Sequence, residues 1–239
     1  MSKKSTRALP RAGRPGAATQ KQRPRGSRAG PSGTQLGIAS IVAVLAVAAF
    51  IWLGSTKPDM PAPISSSIVL SGTVMGEANA PVTIEEWADF QCPACRAFAI
   101  NVEPQLRTSY VATGKVRFIF QNFAFLGAES EWAAQAAECA AAENRFVDYH
   151  DRLYARQGAE NSGAFSKANL KKIGADLGIG GRFAACVDSG AYAAKVRDSL
   201  GAGQAKGVQA TPTLFINGTK VEGAPTFDQL RAKLDALLK

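Results

Sequence analysis

The Cys-Pro-Ala-Cys motif at positions 92–95 constrains the fold of this chain more than any other feature. It follows the strand-like run Val82 to Trp87, and a helical pattern opens at Arg96. Two cysteines three apart at the start of a helix lie close enough to bridge, and the first lies at the positive end of the helix dipole. That position lowers the pKa of Cys92 from about 8.5 toward neutrality, and Pro93 suits the first helical turn. The motif predicts a redox-active dithiol.

A zinc site and a purely structural disulfide are the alternative uses of such a pair. A tetrathiolate zinc site normally brings a second Cys-X-X-Cys motif, whereas Cys139 and Cys186 stand alone and far apart. The strand before the motif and the helix after it favour the redox interpretation. We therefore predict neither a metal nor another cofactor.

The formal net charge of +9 is concentrated at the N-terminus. Residues 1–35 carry nine Lys and Arg side chains and no acid, and the rest of the chain has equal numbers of basic and acidic groups. This tail is rich in Pro, Gly and Ser, so we predict a disordered cytoplasmic segment. We do not predict nucleic-acid binding, because a basic flank beside an apolar segment already serves to orient a chain in the membrane.

Residues 36–53 form an uncharged apolar run that reaches the lower end of the roughly 17 to 25 residues of a spanning helix. We predict a single-pass anchor in the cell membrane, with the N-terminus cytoplasmic and the catalytic domain extracytoplasmic. A cleaved signal peptide is the alternative, although its apolar region usually has about 7 to 15 residues. The Pro- and Ser-rich residues 54–67 are predicted to be a linker.

The remaining residues, 68–239, are predicted to form one α/β domain. Strands are expected at Ile68 to Val74, Val82 to Trp87 and Lys115 to Phe120. Residues 128–205 have helical spacing with Gly and Ser breaks, which predicts about four helices in an inserted subdomain.

Strand character returns at Pro212 to Ile216, and Asn217-Gly218 predicts a tight hairpin. A capping-box pattern at Thr226 then marks the start of the last helix. Its predicted apolar face consists of Phe227, Leu230, Leu234 and Leu237.

These features together resemble the DsbA-like thiol:disulfide oxidoreductases of thioredoxin fold, in particular the membrane-anchored branch related to BdbD and the actinobacterial DsbA proteins. The resemblance implies a thioredoxin fold with an inserted helical subdomain, preceded by a transmembrane helix. It covers residues 70–238 and rests on the helical insert and on three motifs: Ala80-Pro81-Val82-Thr83-Ile84, Asp89-Phe90-Gln91-Cys92-Pro93-Ala94-Cys95, and the run from Gly207 to Gly218.

The resemblance also implies roles for residues outside the motif. Thr211-Pro212 would be a cis-proline loop beside the dithiol that binds the backbone of a substrate, although most X-Pro bonds are trans. Glu86 would be the buried acid that exchanges a proton with Cys95, whereas Glu85 must point to the opposite face of the strand. The alternative is that Glu86 is a solvent-facing strand residue.

Cys139 and Cys186 match the positions of a second, structural disulfide in some relatives of this branch. A second redox pair is the alternative, but neither cysteine has a close partner in the sequence. His150, the only histidine, is interpreted as a structural or surface residue of a helix, because one lone histidine makes neither a triad nor a metal cluster.

The predicted function is transfer of the Cys92–Cys95 disulfide to cysteine-containing exported proteins, with Cys92 as the exposed, attacked sulfur and Cys95 as the resolving one. By resemblance, a quinone-linked membrane enzyme of the DsbB or vitamin K epoxide reductase type would reoxidise the pair. A reductase or isomerase with the same site is one alternative, since no residue fixes the direction of electron flow. A non-catalytic chaperone or adaptor for extended chains is another.

Overall fold

The computed structural model of this protein describes residues 68–239. They form a mixed α/β domain around one six-stranded sheet, with strands β1 (Leu70–Ser71), β2 (Val74–Met75), β3 (Val82–Ala88), β4 (Val116–Asn122), β5 (Thr213–Ile216) and β6 (Thr219–Glu222). The helices are α1 (Pro93–Asn101), α2 (Glu103–Leu106), α3 (Ala128–Ala142), α4 (Phe146–Ala155), α5 (Lys167–Asp176), α6 (Gly181–Ser189), α7 (Ala193–Ala205) and α8 (Phe227–Leu237).

The sheet has the strand order β1-β2-β4-β3-β5-β6. Only β3 and β4 are parallel, and α1 lies in the connection between them, as a parallel pair requires. All the other neighbours pair antiparallel. Because β3 is central, the chain leaves the middle of the sheet directly into the Cys-X-X-Cys motif.

Both faces of β3 are covered, which explains its mostly apolar sequence. Val82, Ile84 and Glu86 alternate along one face and are all buried in the main core. Trp87 points to the other face, where it packs in a smaller cluster with Phe215. The alternation therefore carries a carboxyl group into the main core at Glu86.

The first predicted strand is wrong in one respect, because Ile68 to Val74 is not a single strand. Gly72 takes a positive φ of 63° there and turns the chain, so that β1 and β2 pair with each other as a short hairpin. A residue without a Cβ adopts that conformation readily, and this breaks an otherwise continuous apolar run.

The helix after the motif is interrupted near the predicted kink. α1 ends at Asn101, and Pro104 occupies the first turn of α2 rather than bending one continuous helix. A π-helical segment, Arg107–Val111, follows α2. Glu103 and Arg107, which follow the interruption, are both buried in the protein interior.

Five helices, rather than four, lie between β4 and β5. The alanines of α3 are buried except for those at its two ends, and their small side chains let α4 and α6 pack against it. Gly203 of α7 lies against the second face of the sheet, where an added Cβ would meet Trp87 and Phe123 at 2.7 and 2.6 Å. Only glycine fits that close approach.

The C-terminal hairpin and helix are confirmed. β5 and β6 pair around Asn217 and Gly218, and Thr226 caps α8 in a capping box with Gln229. The prediction that Leu237 belongs to the apolar face of this helix is wrong, because Leu237 is 50% exposed in the last turn.

In the part of the chain that the structure describes, no helix combines the length and apolarity that a membrane span needs. The predicted tail, anchor and linker, residues 1–35, 36–53 and 54–67, lie outside the described residues.

Candidate active site

The dithiol lies at the N-terminus of α1. Cys92 is the N-cap residue, Pro93 follows in the first turn, and the carbonyl of Cys92 accepts the first helical hydrogen bond from Arg96 N–H at 3.1 Å. Both cysteines are free thiols. Cys92 is only 8% exposed, so the predicted exposed sulfur is in fact nearly buried, but Cys95 is completely buried at 0%. Cys92 is therefore the more accessible of the two cysteines.

The two sulfurs differ sharply in acidity. A hydrogen bond from the Cys95 thiol lowers the pKa of Cys92 to about 6 against the opposing effect of burial, with help from Thr211 and the backbone N–H groups of Ala94 and Cys95. Burial, followed by that same hydrogen bond, raises the pKa of Cys95 well above its usual value. At pH 7 roughly nine-tenths of Cys92 is thiolate, whereas Cys95 keeps its proton.

The loop before β5 lies beside Cys92. Its Thr211–Pro212 peptide bond is cis, as the resemblance implies. The Cys92 thiol donates a hydrogen bond of 3.3 Å to the backbone oxygen of Thr211, and the Thr211 side chain stabilises the thiolate form. Residues 119 positions apart in the chain are thus joined at the reacting sulfur.

The two strand glutamates face opposite sides of the sheet, as their alternation predicts. Glu85 makes an ion pair with Lys206 near the surface. Glu86 is fully buried, and its pKa is raised well above the usual range, first by burial and then by the charge of Glu103. The charge of Glu86 in turn contributes to raising the pKa of Cys95. Glu86 is therefore the carboxyl group that acts on the Cys95 sulfur.

A group of buried charged residues below Glu86 was missed by the sequence analysis. Arg107 donates hydrogen bonds to Glu103 at 2.9 Å and to both oxygens of Asp151 at 2.6 and 2.7 Å. His150 contacts Asp151 through Nδ1 at 2.8 Å. The sequence analysis interpreted His150 as either a structural or a surface residue, and the structure shows that it is a fully buried structural residue. Only the Glu103 and Arg107 spacing of four residues hinted at a pair.

The backbone that leads into the motif is held by Asp89. Its carboxylate accepts hydrogen bonds from the N–H groups of Gln91, Phe125 and Leu126 and from the Ser130 hydroxyl, at 2.6–3.1 Å. An anionic acceptor with four donors fixes three separate segments in one arrangement.

The helical insert also contacts the motif directly. Gln157, just after α4, donates from Nε2 to the carbonyl oxygens of Phe90 and Cys92 at 2.7 and 3.1 Å. Arg96 donates to the Tyr154 carbonyl at 2.9 Å. The sequence analysis missed Gln157, and no single-sequence signal marks a loop glutamine as a contact of this kind.

The remaining two cysteines lie far from this dithiol in the chain and are joined to each other. A disulfide links Cys139 of α3 to Cys186 of α6, with 5.9 Å between the Cα atoms. It therefore fastens two helices of the insert.

A reactive thiolate at a helix N-terminus, a buried proton-holding partner thiol and a neighbouring cis-proline loop on this sheet define a thiol:disulfide oxidoreductase. The comparisons with known proteins agree. A family model described as Thioredoxin matches residues 69–236.

The chain is 31% identical over 175 residues to the probable disulfide bond formation protein D of Bacillus anthracis, covering 69% of this chain and 77% of that protein. Oxidised BdbD of Bacillus subtilis superposes with a TM-score of 0.65 at 26% identity, over 71% of this chain and 97% of that one. Oxidised DsbA of Mycobacterium tuberculosis gives 0.60 at 32% identity, over 73% and 90%. The chain belongs to the thioredoxin family, and it is a DsbA-like member with the thioredoxin fold and an inserted set of helices.

Proposed function

We propose that this protein is an oxidase, which donates the Cys92–Cys95 disulfide to exported proteins as they fold. The observation that carries the proposal is the stabilised thiolate, since the pKa of Cys92 lies at about 6. Whatever stabilises the reduced form makes the disulfide a stronger oxidant. The site therefore favours transfer of the disulfide to a client protein.

In this mechanism a client thiolate attacks Cys92 Sγ, the more accessible sulfur, and Cys95 leaves. The raised pKa of Cys95 means that the leaving sulfur takes up a proton, and Glu86 supplies it. A second client thiol then attacks the mixed disulfide and displaces Cys92, which leaves readily because its thiolate is stable.

The cis-proline loop would hold the client during these steps. Cys92 has no S–H group in the disulfide or in the mixed disulfide, so the Thr211 carbonyl that accepts from the thiol in the reduced form is available to a client N–H. Main-chain pairing of this kind recognises any extended polypeptide, and it suits an enzyme that serves many sequences.

The predicted location fits this role. Residues 36–53 would anchor the domain outside the membrane, with residues 1–35 inside and residues 54–67 as a spacer to the catalytic domain at 68–239. Cysteine-containing exported proteins would be the clients, which agrees with the name of the Bacillus relatives. A quinone-linked membrane enzyme of the DsbB or vitamin K epoxide reductase type would take up the electrons.

The rival functions make different use of the same site. A reductase needs a disulfide that is hard to reduce, which the low pKa of Cys92 opposes. An isomerase uses the reduced pair, because its free thiolate attacks a client disulfide. A chaperone or adaptor without catalysis needs no thiolate at all, whereas the hydrogen bonds around Cys92 stabilise one.

The test is to trap the client. Cys95→Ser removes the internal thiol that resolves the mixed disulfide, so Cys92 should accumulate reductant-sensitive adducts with exported proteins in cells. The adducts should disappear when Cys92 is also replaced by Ser. Trapping through Cys95 in a Cys92→Ser protein would reverse the assigned roles. No trapping through either cysteine would support the adaptor instead.

A further inference from the structure

Several buried polar side-chain atoms next to the active site have no hydrogen-bond partner. Both carboxyl oxygens of Glu86, Oε1 of Glu103 and Nε2 of His150 are buried, and none has a hydrogen-bond partner among residues 68–239. Buried polar atoms are nearly always paired, so a group of unpaired acceptors in one place requires a physical reason. A mobile proton is such a reason, because one proton converts an acceptor into a donor.

The protonation of His150 follows from its neighbour. Nδ1 lies 2.8 Å from Asp151 Oδ1. Burial opposes the charge of Asp151, but hydrogen bonds from Arg107 and His150 lower its pKa to about 2, so it is a carboxylate and only accepts. In this reduced form Nδ1 therefore carries a hydrogen, and Nε2 is the ring nitrogen that faces Glu103. That atom lies 3.5 Å from Glu103 Oε1.

Glu103 stands between two such contacts. Its Oε2 accepts a hydrogen bond of 2.9 Å from Arg107, whose guanidinium compensates a negative charge on the carboxyl group. On the other side is Glu86, whose pKa burial and then Glu103 raise. Two carboxylates repel each other, whereas a protonated Glu86 can donate a hydrogen bond to Glu103, and the Glu103 side chain is among the causes of the raised pKa of Glu86.

We propose that Glu103 and His150 form a proton path that connects the resolving Cys95 with the protein surface, in the order Cys95, Glu86, Glu103, His150, Asp151. The path rests on the proposed use of Cys92–Cys95 as the redox pair. Cys95, Glu86, Glu103 and His150 are all buried, whereas the Asp151 side chain at the far end is 12% exposed.

The exchange reaction needs such a path because it moves one proton at a buried sulfur. When a client thiolate attacks Cys92, the S–S bond breaks and its electron pair leaves on Cys95. Glu86 transfers a proton to that sulfur, and Glu103 returns one to Glu86. His150 gives Glu103 the proton of Nε2 and takes one at Nδ1 from solvent through Asp151, which leaves the ring with its hydrogen on Nδ1, as in the reduced form. The second client thiol loses its proton to solvent and forms the client disulfide. Two electrons thus enter the dithiol with one proton at Cys95, and reoxidation reverses each step.

The surroundings of His150 confine the proton to these residues. The charged groups that contact the ring are Glu103, from the segment after α1, and Asp151, from its own helix; Arg107 is paired with both, and Glu86 of β3 acts on Glu103. Aromatic rings pack on its other sides at centroid distances of 4.9–5.8 Å, from Phe90, Phe120, Phe146 and Tyr154. A ring without exposure of its own exchanges protons through its polar neighbours, and Asp151 is the one that retains contact with solvent.

The first test uses the unaltered full-length protein, because His150 is its only histidine. Nitrogen-15 NMR of untagged reduced protein should show a hydrogen on Nδ1, and the Nε2 signal should differ between the oxidised and reduced forms. Identical Nε2 signals in both forms at every pH would overturn the path. This measurement does not depend on any variant folding.

The second test follows the step at Cys95 in full-length variants. Each protein is prepared with glutathione on Cys92, and release of glutathione reports attack by the Cys95 thiolate, which must first lose its proton. His150→Gln should slow release by about tenfold or more and introduce a larger solvent deuterium isotope effect, because proton transfer becomes limiting. Alkylation of Cys92 should remain as in the wild type.

The matched control is Tyr149→Phe, which alters the adjacent buried residue, whose hydroxyl donates to the Leu170 carbonyl away from the path. It should release glutathione at the wild-type rate with the wild-type isotope effect. A folded His150→Gln protein that behaves like this control would overturn the path. Failure of the wild-type protein itself to release glutathione would instead contradict the proposed function.

Discussion

Removing the Cys139–Cys186 disulfide should destabilise the domain by an amount set mainly by the loop that it closes. The two cysteines are 47 residues apart, and for a loop of that length the chain-entropy estimate is about 4 kcal/mol at 25 °C. Cys139 is buried between helices, so a serine there would add the penalty of a buried hydroxyl. The paired replacement Cys139→Ala, Cys186→Ala avoids that penalty and isolates the effect of the crosslink.

The assay is urea unfolding of wild type and variant with Cys92–Cys95 oxidised in both. With a slope of about 2 kcal/mol per M, a loss of about 4 kcal/mol lowers the unfolding midpoint by about 2 M. The Ser pair should be lower still. A decrease of less than about 1 kcal/mol would refute the loop-closure argument, and loss of exchange activity in the folded variant would show that this pair takes part in redox chemistry.

Two further variants test the groups around the dithiol. Glu86→Gln should slow the step in which Cys95 exchanges its proton. The pKa of Glu86 is higher in the folded than in the unfolded protein, so the wild type loses stability as the pH rises from the unfolded pKa through the folded pKa. The Gln variant should therefore gain stability relative to the wild type over that pH range. Glu85→Gln should show neither effect, and equal effects of the two variants would remove Glu86 from the mechanism. Thr211→Val removes the hydroxyl that helps to lower the pKa of Cys92, so this pKa should rise from about 6 toward about 7. Thiolate absorbance measures it, and an unchanged titration would contradict that contribution.

Local signals predicted the elements that hold the site. The strand before Cys92, the helix N-terminus at Pro93, the hairpin at Asn217-Gly218 and the cap at Thr226 each depend on a few adjacent residues, and each is where the sequence indicates. The opposite orientations of Glu85 and Glu86 follow from strand alternation alone. The thioredoxin fold itself required the resemblance in addition to these patterns.

What the sequence did not reveal depends on distant contacts. His150 lies on a helix whose exposed face also carries polar residues, so its burial beside Glu103 depends on how α4 packs against α1 and on the ion pair between Asp151 and Arg107. The contact of Gln157 with the Cys92 carbonyl likewise joins residues 65 positions apart. Gly72 ended a strand that its apolar neighbours would have continued, because a turn conformation outweighed strand propensity.

The reduction potential of the Cys92–Cys95 couple tests the central claim most directly. Equilibration with glutathione redox buffers, followed by trapping of free thiols, gives the value. Because the thiolate of Cys92 is stabilised, with a pKa of about 6, the potential should lie above about −180 mV, on the side of disulfide donors. A potential near or below about −270 mV, that of a reductant such as thioredoxin, would contradict the assignment of this protein as a donor of disulfides.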